Sequence, residues 1–116
     1  MASRATSFGL AIAAAVVLTA AGVAARAADA EREPVRHVVR IDATSFEPRS
    51  LTVTAGDTVV WVNDDLYAHT ATGKGGVFDS KDIAAGGSWS YVPKKAGLFG
   101  YTCLYHPTMK GTLRVR

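Results

Sequence analysis

The C-terminal part of the chain concentrates side chains that can bind a metal ion. Cys103, the only cysteine, is followed three positions later by His106. Three positions after that comes Met109, the only methionine apart from Met1. A thiolate, an imidazole and a thioether on one short loop are soft and borderline donors, and thiolate and thioether ligands favour Cu(I) among the biologically available metals. The spacing therefore predicts a copper site on this loop.

A fourth ligand has to come from elsewhere, because three donors on one loop crowd a single side of a metal ion. His69, which lies 34 residues before Cys103, is the candidate. Two imidazoles, one thiolate and a weak axial thioether form the donor set of blue-copper electron-transfer sites. We therefore predict that the metal ligands, and the cofactor-binding residues, are His69, Cys103, His106 and Met109, and we predict no catalytic residue.

Each of these residues also has an ordinary structural interpretation. A lone cysteine usually acts as a small apolar core residue, and a lone methionine often fills a gap in the core. Without a metal, a separate structural explanation would be needed for each of these residues at once, three of them within one short loop. Their spacing therefore favours metal binding. His37 lies between basic residues near the start of a predicted strand. We interpret it as a partly exposed residue of the sheet and not as a ligand.

Strand-like segments rich in Val, Thr and aromatic residues must position this loop. They are separated by turn residues, and no convincing helix follows residue 30. Such short strands with frequent turns predict an all-β fold, a Greek-key β-sandwich. Residues 64–83, with three glycines, predict a long loop. The predicted strands are Val35–Ile41, Ser50–Thr54, Thr58–Asn63, Trp89–Val92, Leu98–Cys103 and Thr112–Val115.

The first thirty residues have the pattern of a secretory signal peptide. Arg4 is followed by an uncharged apolar run over 8–25 and then by small-residue triplets that end at Ala27 and Ala30. We predict a signal peptide over 1–30, cleaved after Ala30 or alternatively after Ala27, and a single domain over 31–116. A retained membrane anchor is the alternative, because the apolar run almost reaches spanning length.

Charge and cysteine content narrow the function further. From residue 31 onward, eleven Lys and Arg stand against nine Asp and Glu, and no basic run is interleaved with aromatic residues. This distribution argues against nucleic-acid binding. An exported protein meets an oxidising compartment, where a single cysteine cannot form an internal disulfide. Cys103 is therefore buried and inert, used between chains, or used in chemistry.

The motif Tyr-x-Cys-x-x-His-x-x-Met-x-Gly over 101–111, with His69 and the segment 46–63, resembles the cupredoxins, the family of type 1 blue copper proteins. The resemblance extends from about residue 46 to the C-terminus. The spacing between His106 and Met109 is similar to that of the amicyanin group, whereas plastocyanin and pseudoazurin have longer loops there. The family often has Asn after the first His, where this chain has Thr70. That Asn helps to tie the ligand loops together, and the sequence leaves open whether Thr70 does so.

The resemblance implies one type 1 copper ion in a soluble periplasmic one-electron carrier, which is not an enzyme. It implies transient docking, near His106, of redox proteins such as a c-type cytochrome or a periplasmic dehydrogenase. We expect a monomer without stable membrane insertion after signal cleavage. The apolar surface expected at this end comprises Leu66, Ala68, Leu104 and Pro107. Tyr67 and Tyr105 flank the two His ligands, and their role as lid, internal packing or partner surface is left open.

Two other functions are compatible with the same residues. A periplasmic copper chaperone or buffer would release the ion instead of the electron, although the chain has no methionine-rich or histidine-rich segment. A thiol enzyme would use Cys103 as a nucleophile with a histidine as base. Such an enzyme needs a substrate cleft, for which a sandwich of about 86 residues has little room.

Overall fold

The computed structural model describes residues 9, 11–15 and 32–116. The chain divides into two units, residues 1–32 and residues 33–116. In the first unit, residue 9 and residues 11–15 are exposed and belong to no helix or strand. The rest of the predicted signal peptide, with both candidate cleavage sites, lies outside the described residues. No helix among the described residues has the length and apolar character needed to cross a membrane.

The second unit consists of short strands joined by turns. Residues 32–116 contain no α-helix, and their helical content is one 3₁₀ turn, Lys74–Gly76. The strands are β1 Arg36–Asp42, β2 Ser45–Glu47, β3 Ser50–Val53, β4 Thr58–Asn63, β5 Thr72–Gly73, β6 Ser88–Tyr91, β7 Gly97–Thr102 and β8 Lys110–Val115.

The strands form two mixed four-stranded sheets. The first sheet has the order β2-β1-β4-β6, and the second has the order β3-β8-β7-β5. Strands β1 and β4 run parallel, as do β3 and β8, and the other neighbours are antiparallel. The predicted all-β sandwich is therefore confirmed.

Alternating residues of the two sheets meet in one core. Val39 and Trp61 of the first sheet and Tyr101 and Leu113 of the second belong to the same buried cluster. The Trp61 side chain is fully buried, as predicted, and its ring lies edge-on to Tyr101 with 5.5 Å between ring centroids. A Cβ at Gly111 would collide with the Tyr101 ring. The glycine of the sequence motif is therefore required by close packing beneath the last strand.

The predicted strands agree closely with the observed ones, with two omissions. All six predicted strands are present, and Thr58–Asn63 has the predicted bounds. Strands β2 and β5 were missed because three and two residues are too few to show an alternating pattern. Pairing with β1 and β7 holds them in place. The expected long loop over 64–83 is correspondingly more ordered, since it contains β5, the 3₁₀ turn and an antiparallel bridge between His69 and Ile83.

Candidate metal centre

His69 is held by backbone and side-chain hydrogen bonds beyond the end of β4. Its N–H donates to the carbonyl of Ile83 at 3.1 Å, and the N–H of Ile83 donates back at 2.7 Å. The buried amide of Asn63, the last residue of β4, donates to the carbonyls of Tyr67 at 2.7 Å and Ile83 at 2.9 Å. The side chain of His69 is therefore fully buried at a defined position.

The loop from Cys103 to Met109 joins β7 to β8 and is closed by its own backbone. The N–H of Cys103 donates to the carbonyl of Met109 at 3.1 Å, and the N–H of His106 donates to Cys103 at 3.3 Å. The N–H of Met109 donates to His106 at 2.8 Å. Cys103 and Met109 are buried, whereas His106 is half-buried. The three predicted ligands of this loop are thus held at one end of the sandwich.

Two of the four predicted ligands are in direct contact. Sγ of Cys103 lies 3.7 Å from Nδ1 of His69, and the His69 and His106 rings are 5.3 Å apart between centroids. Among the described residues, however, no three His, Cys, Asp or Glu side chains lie close enough to hold a metal ion by themselves. The Cys103–His69 contact is the part of the ligand set with observed geometry, and the full set stays a prediction.

Thr70 connects the two ligand-bearing segments. Its hydroxyl oxygen accepts a hydrogen bond from the N–H of Leu104 at 2.9 Å, across 34 residues of sequence. Its own N–H points at Sγ of Cys103 at 3.4 Å. Thr70 is buried, and its hydroxyl therefore ties the two segments together at the position where the family often has Asn.

Asp65 orients the imidazole of His69, and the sequence analysis missed this contact. Nε2 of His69 lies 2.6 Å from Oδ2 of Asp65. An Nε2–H that donates to the carboxylate leaves the lone pair of Nδ1 on the side of Cys103, where a metal can accept it. Histidines that bind metals usually donate their other N–H to such a partner. The sequence signal that could have revealed this contact is the carboxylate of Asp65 four residues before His69.

The pKa values of Cys103, His69 and Asp65 fit a metal that prefers a thiolate and an imidazole. Burial alone raises the pKa of the Cys103 thiol, but in the metal-free chain the Thr70 N–H and an imidazolium form of His69, protonated at Nδ1, donate to the sulfur and outweigh it, so that pKa is lowered. Burial alone lowers the pKa of His69, but the hydrogen bonds to Asp65 and Cys103 outweigh it, and that pKa is raised. The hydrogen bond from His69 also lowers the pKa of Asp65. The pocket thus makes the thiolate, the form of cysteine that binds metals, easier to form than in an ordinary cysteine.

The surface around the candidate ligands is apolar and exposed. Leu66 and Tyr67 precede His69, and Leu104 and Tyr105 precede His106; these four side chains are between 54% and 85% exposed. The Tyr105 hydroxyl donates to Asp82, and this bond raises the pKa of the phenol. Leu66 and Leu104 are therefore exposed as expected, and both tyrosines lie at the surface and not in the core.

His37 is a partly exposed residue of β1, as predicted. It pairs with Val59 near the start of β4, whereas the segment to His69 leaves β4 at Asn63. Its side chain is 21% exposed, and its Nε2 lies 2.9 Å from the buried carboxylate of Asp57. Asp57 also accepts the N–H groups of Val35 at 2.9 Å and Thr54 at 3.0 Å. The carboxylate anchors the turn between β3 and β4.

Comparisons with known proteins agree with the fold and with the residue pattern. The sequence profile of the cupredoxin-like domain matches residues 10–115. Plastocyanin from Scenedesmus fuscus is 35% identical over 92 residues, 64% of this chain and 89% of that protein. Amicyanin from Paracoccus versutus is 30% identical over 94 residues, 77% of this chain and 70% of that protein. A structure of a reduced Cu(I) amicyanin variant superimposes with a TM-score of 0.67 and 29% identity, covering 75% of this chain and 88% of that one.

Proposed function

Since the chain belongs to the family of cupredoxin-like domains, we propose that it is a one-electron carrier with one type 1 copper ion. The observation that carries this proposal is the buried contact between Sγ of Cys103 and Nδ1 of His69 at 3.7 Å, with the opposite ring nitrogen held by Asp65. This pair offers a thiolate and an oriented imidazole to one metal ion. Both curated relatives described above carry the names of blue copper proteins.

Four side chains would hold the copper ion: Nδ1 of His69, Sγ of Cys103, the imidazole of His106 and the thioether of Met109. Bound copper supplies one-electron chemistry by alternating between Cu(I) and Cu(II). The protein contributes positions that are maintained without the metal, through the Ile83 bridge to His69 and the three backbone hydrogen bonds within 103–109. Because the ligands need little rearrangement, electron transfer meets a small structural barrier.

Burial of the ligands supports a carrier over an enzyme. His69, Cys103 and Met109 are each at most 2% exposed, and the half-buried His106 lies nearest the surface. A substrate has no open route to the thiol, whereas an electron can pass through the His106 imidazole to a partner docked on the surrounding apolar side chains. Transient docking of a c-type cytochrome or a periplasmic dehydrogenase by a monomeric carrier fits this surface.

The proposed carrier is exported to the periplasm. Residues 1–30 direct the chain to the periplasm, and residues 31–116 form the copper-binding domain. The apolar run and the small-residue triplets support this division. Mass spectrometry of the protein purified from a periplasmic fraction should give an N-terminus at residue 31 or residue 28. A periplasmic protein that retains residue 1 contradicts the export proposal and leaves the copper site untouched.

The visible and electron paramagnetic resonance spectra of the copper-loaded protein test the function. We expect an intense blue absorption band from sulfur-to-copper charge transfer, which disappears in Cys103→Ser because a hydroxyl cannot replace the thiolate. Reversible voltammetry with the metal retained in both states distinguishes a carrier from a chaperone, which would lose the ion on transfer to a chelator. A colourless protein with a reactive thiol would refute the proposal in favour of a thiol enzyme.

A further inference from the structure

Asp82 and Tyr105 form a hydrogen bond beside the candidate metal centre, and the proposed function does not use it. The Tyr105 hydroxyl donates to Oδ1 of Asp82 across 23 residues of sequence. Tyr105 directly precedes the predicted ligand His106. Asp82 directly precedes Ile83, whose backbone exchanges two hydrogen bonds with His69. The bond therefore connects the two segments that carry the predicted imidazole ligands.

Asp82 belongs to a segment that is fixed on both sides. Before it, the N–H of Ser80 donates to the carbonyl of Ala71 at 3.1 Å, and the N–H of Ala71 donates to the Ser80 hydroxyl oxygen at 2.7 Å. After it, Ile83 is held by the antiparallel bridge to His69. The Asp82 carboxylate is therefore an anchored acceptor, and a donor bound to it loses freedom to move.

The backbone immediately before Asp82 has an unusual conformation. Lys81 has a φ of 55°, in the left-handed region, which is unfavourable for a lysine and persists only where the surrounding structure fixes it. Asp79 fixes it, because its carboxylate accepts the Lys81 N–H at 2.9 Å and pairs with the Lys81 ammonium at 3.0 Å. Backbone strain of this kind is concentrated at functional sites. The strained residue lies next to the one that binds Tyr105.

The ligand loop has few other restraints near His106. Of the three backbone hydrogen bonds that close this loop, the one donated by the N–H of His106 is the longest, at 3.3 Å. Tyr105 and Pro107 are both exposed, and a proline has no N–H to donate. Among the described residues, the bond to Asp82 is the only hydrogen bond that joins residues 105–108 to another segment. It is therefore placed to limit the movement of His106.

We propose that Asp82 is a positioning residue for the metal centre, which acts through Tyr105 to hold the His106 imidazole in place. The inference rests on the proposed function. No bond forms or breaks in this role, and no proton moves. Cu(I) accepts fewer ligands than Cu(II), so a looser imidazole favours the reduced state. Loss of the hydrogen bond should therefore raise the reduction potential.

A double-mutant cycle tests the proposal. Tyr105→Phe removes the hydroxyl and keeps the ring, Asp82→Ala removes the acceptor, and the double variant removes both. Because Asp82→Ala also changes the charge near the metal, the informative quantity is the effect of Tyr105→Phe in each background. Tyr91→Phe is the matched control, since it removes a phenol hydroxyl from β6, a strand that carries no predicted ligand. Voltammetry of the copper-loaded protein measures the potential, and hydrogen exchange in the copper-free protein measures opening of the loop.

We expect Tyr105→Phe to lower the affinity for Cu(II) relative to Cu(I) by roughly two- to five-fold, the scale of an exposed contact with a carboxylate, and hence to raise the potential. Exchange of the His106 amide in the copper-free protein should accelerate by a similar factor. Both effects should disappear in the Asp82→Ala background and be absent in Tyr91→Phe. An equal rise in potential in both backgrounds would overturn the proposal, because the hydroxyl would then act without Asp82.

The two proposals fail in different ways. If the unaltered protein is a blue carrier and Tyr105→Phe accelerates exchange at His106 without changing the potential, the positioning role is overturned and the bond is purely structural. If the unaltered protein shows neither a blue band nor reversible voltammetry, the proposed function is refuted. Exchange in the copper-free protein then decides the role of Asp82 by itself, since unchanged exchange at His106 in Tyr105→Phe would overturn it.

Discussion

Replacing Thr70 by valine tests whether a single hydroxyl holds the two ligand segments together. Valine has nearly the shape of threonine but cannot accept a hydrogen bond. The N–H of Leu104, which donates to the Thr70 hydroxyl at 2.9 Å, therefore loses its partner. The Thr72 hydroxyl, 3.0 Å from the same oxygen, loses a contact but keeps Asp79.

The size of the effect follows from the burial of these groups. A buried polar group left without a partner costs about 1–3 kcal/mol. Thr70 is 2% exposed, but the side chain of Leu104 is 60% exposed, so water can reach the freed N–H in part. We therefore expect Thr70→Val to lower the free energy of unfolding by about 1–2 kcal/mol, in the lower half of that range. At about 4–8 °C per kcal/mol for a domain of this size, the melting temperature should fall by roughly 5–15 °C.

Denaturant titration of the copper-free protein measures the free energy of unfolding without any contribution from metal binding. Thr72→Val is the matched control, because it removes the neighbouring hydroxyl and leaves the bond between Thr70 and Leu104 intact; its loss should be smaller. Hydrogen exchange should also accelerate specifically at the Leu104 amide in Thr70→Val. A variant that unfolds within about 0.5 kcal/mol of the wild type, with unchanged exchange at Leu104, would refute this role for Thr70.

Three further perturbations probe the site. Asp65→Asn should raise the reduction potential and weaken Cu(II) binding, about 10–100-fold by the scale for partners of metal-bound histidines; Asp64→Asn, an equal charge change one residue away, should not, and equal effects would remove Asp65 from this role. In the metal-free chain, the pKa of Asp65 is lowered from 3.8 and the pKa of His69 is raised from 6.5. Their pair therefore stabilises the fold fully between pH 3.8 and pH 6.5. That contribution is lost as pH falls through the folded pKa of Asp65 or rises through that of His69, so the difference in unfolding free energy between wild type and Asp65→Asn should be largest within that window. Met109→Leu should keep the blue colour and raise the potential measured by voltammetry, because a weak axial donor is lost; an unchanged potential would remove Met109 from the ligand set. His69→Gly should lose the colour and regain it with added imidazole, and failure of the rescue would mean that the vacated space collapses.

Local patterns in the sequence predicted the six longer strands and were enough to propose the candidate ligands. β4 combines β-branched residues with Trp61 over six residues, and its burial follows from this nearly continuous apolar run and not from alternation. The loop from Cys103 to Met109 is equally local, since its donors are three positions apart and its own backbone closes it. Spacing along the chain therefore predicted which residue types meet there.

The connections between distant segments required the tertiary structure. Thr70 and Leu104 are 34 residues apart, and no periodicity relates them; the packing of β5 beside β7 brings them within hydrogen-bond distance. Asp65 depends on a turn that Asn63 stabilises, because the Asn63 side chain accepts the N–H of Asp65 at 3.0 Å. A short sequence is enough to name candidate ligands, whereas the orientation of the His69 imidazole and its hydrogen-bond partners depend on contacts that exist only after the two sheets have packed.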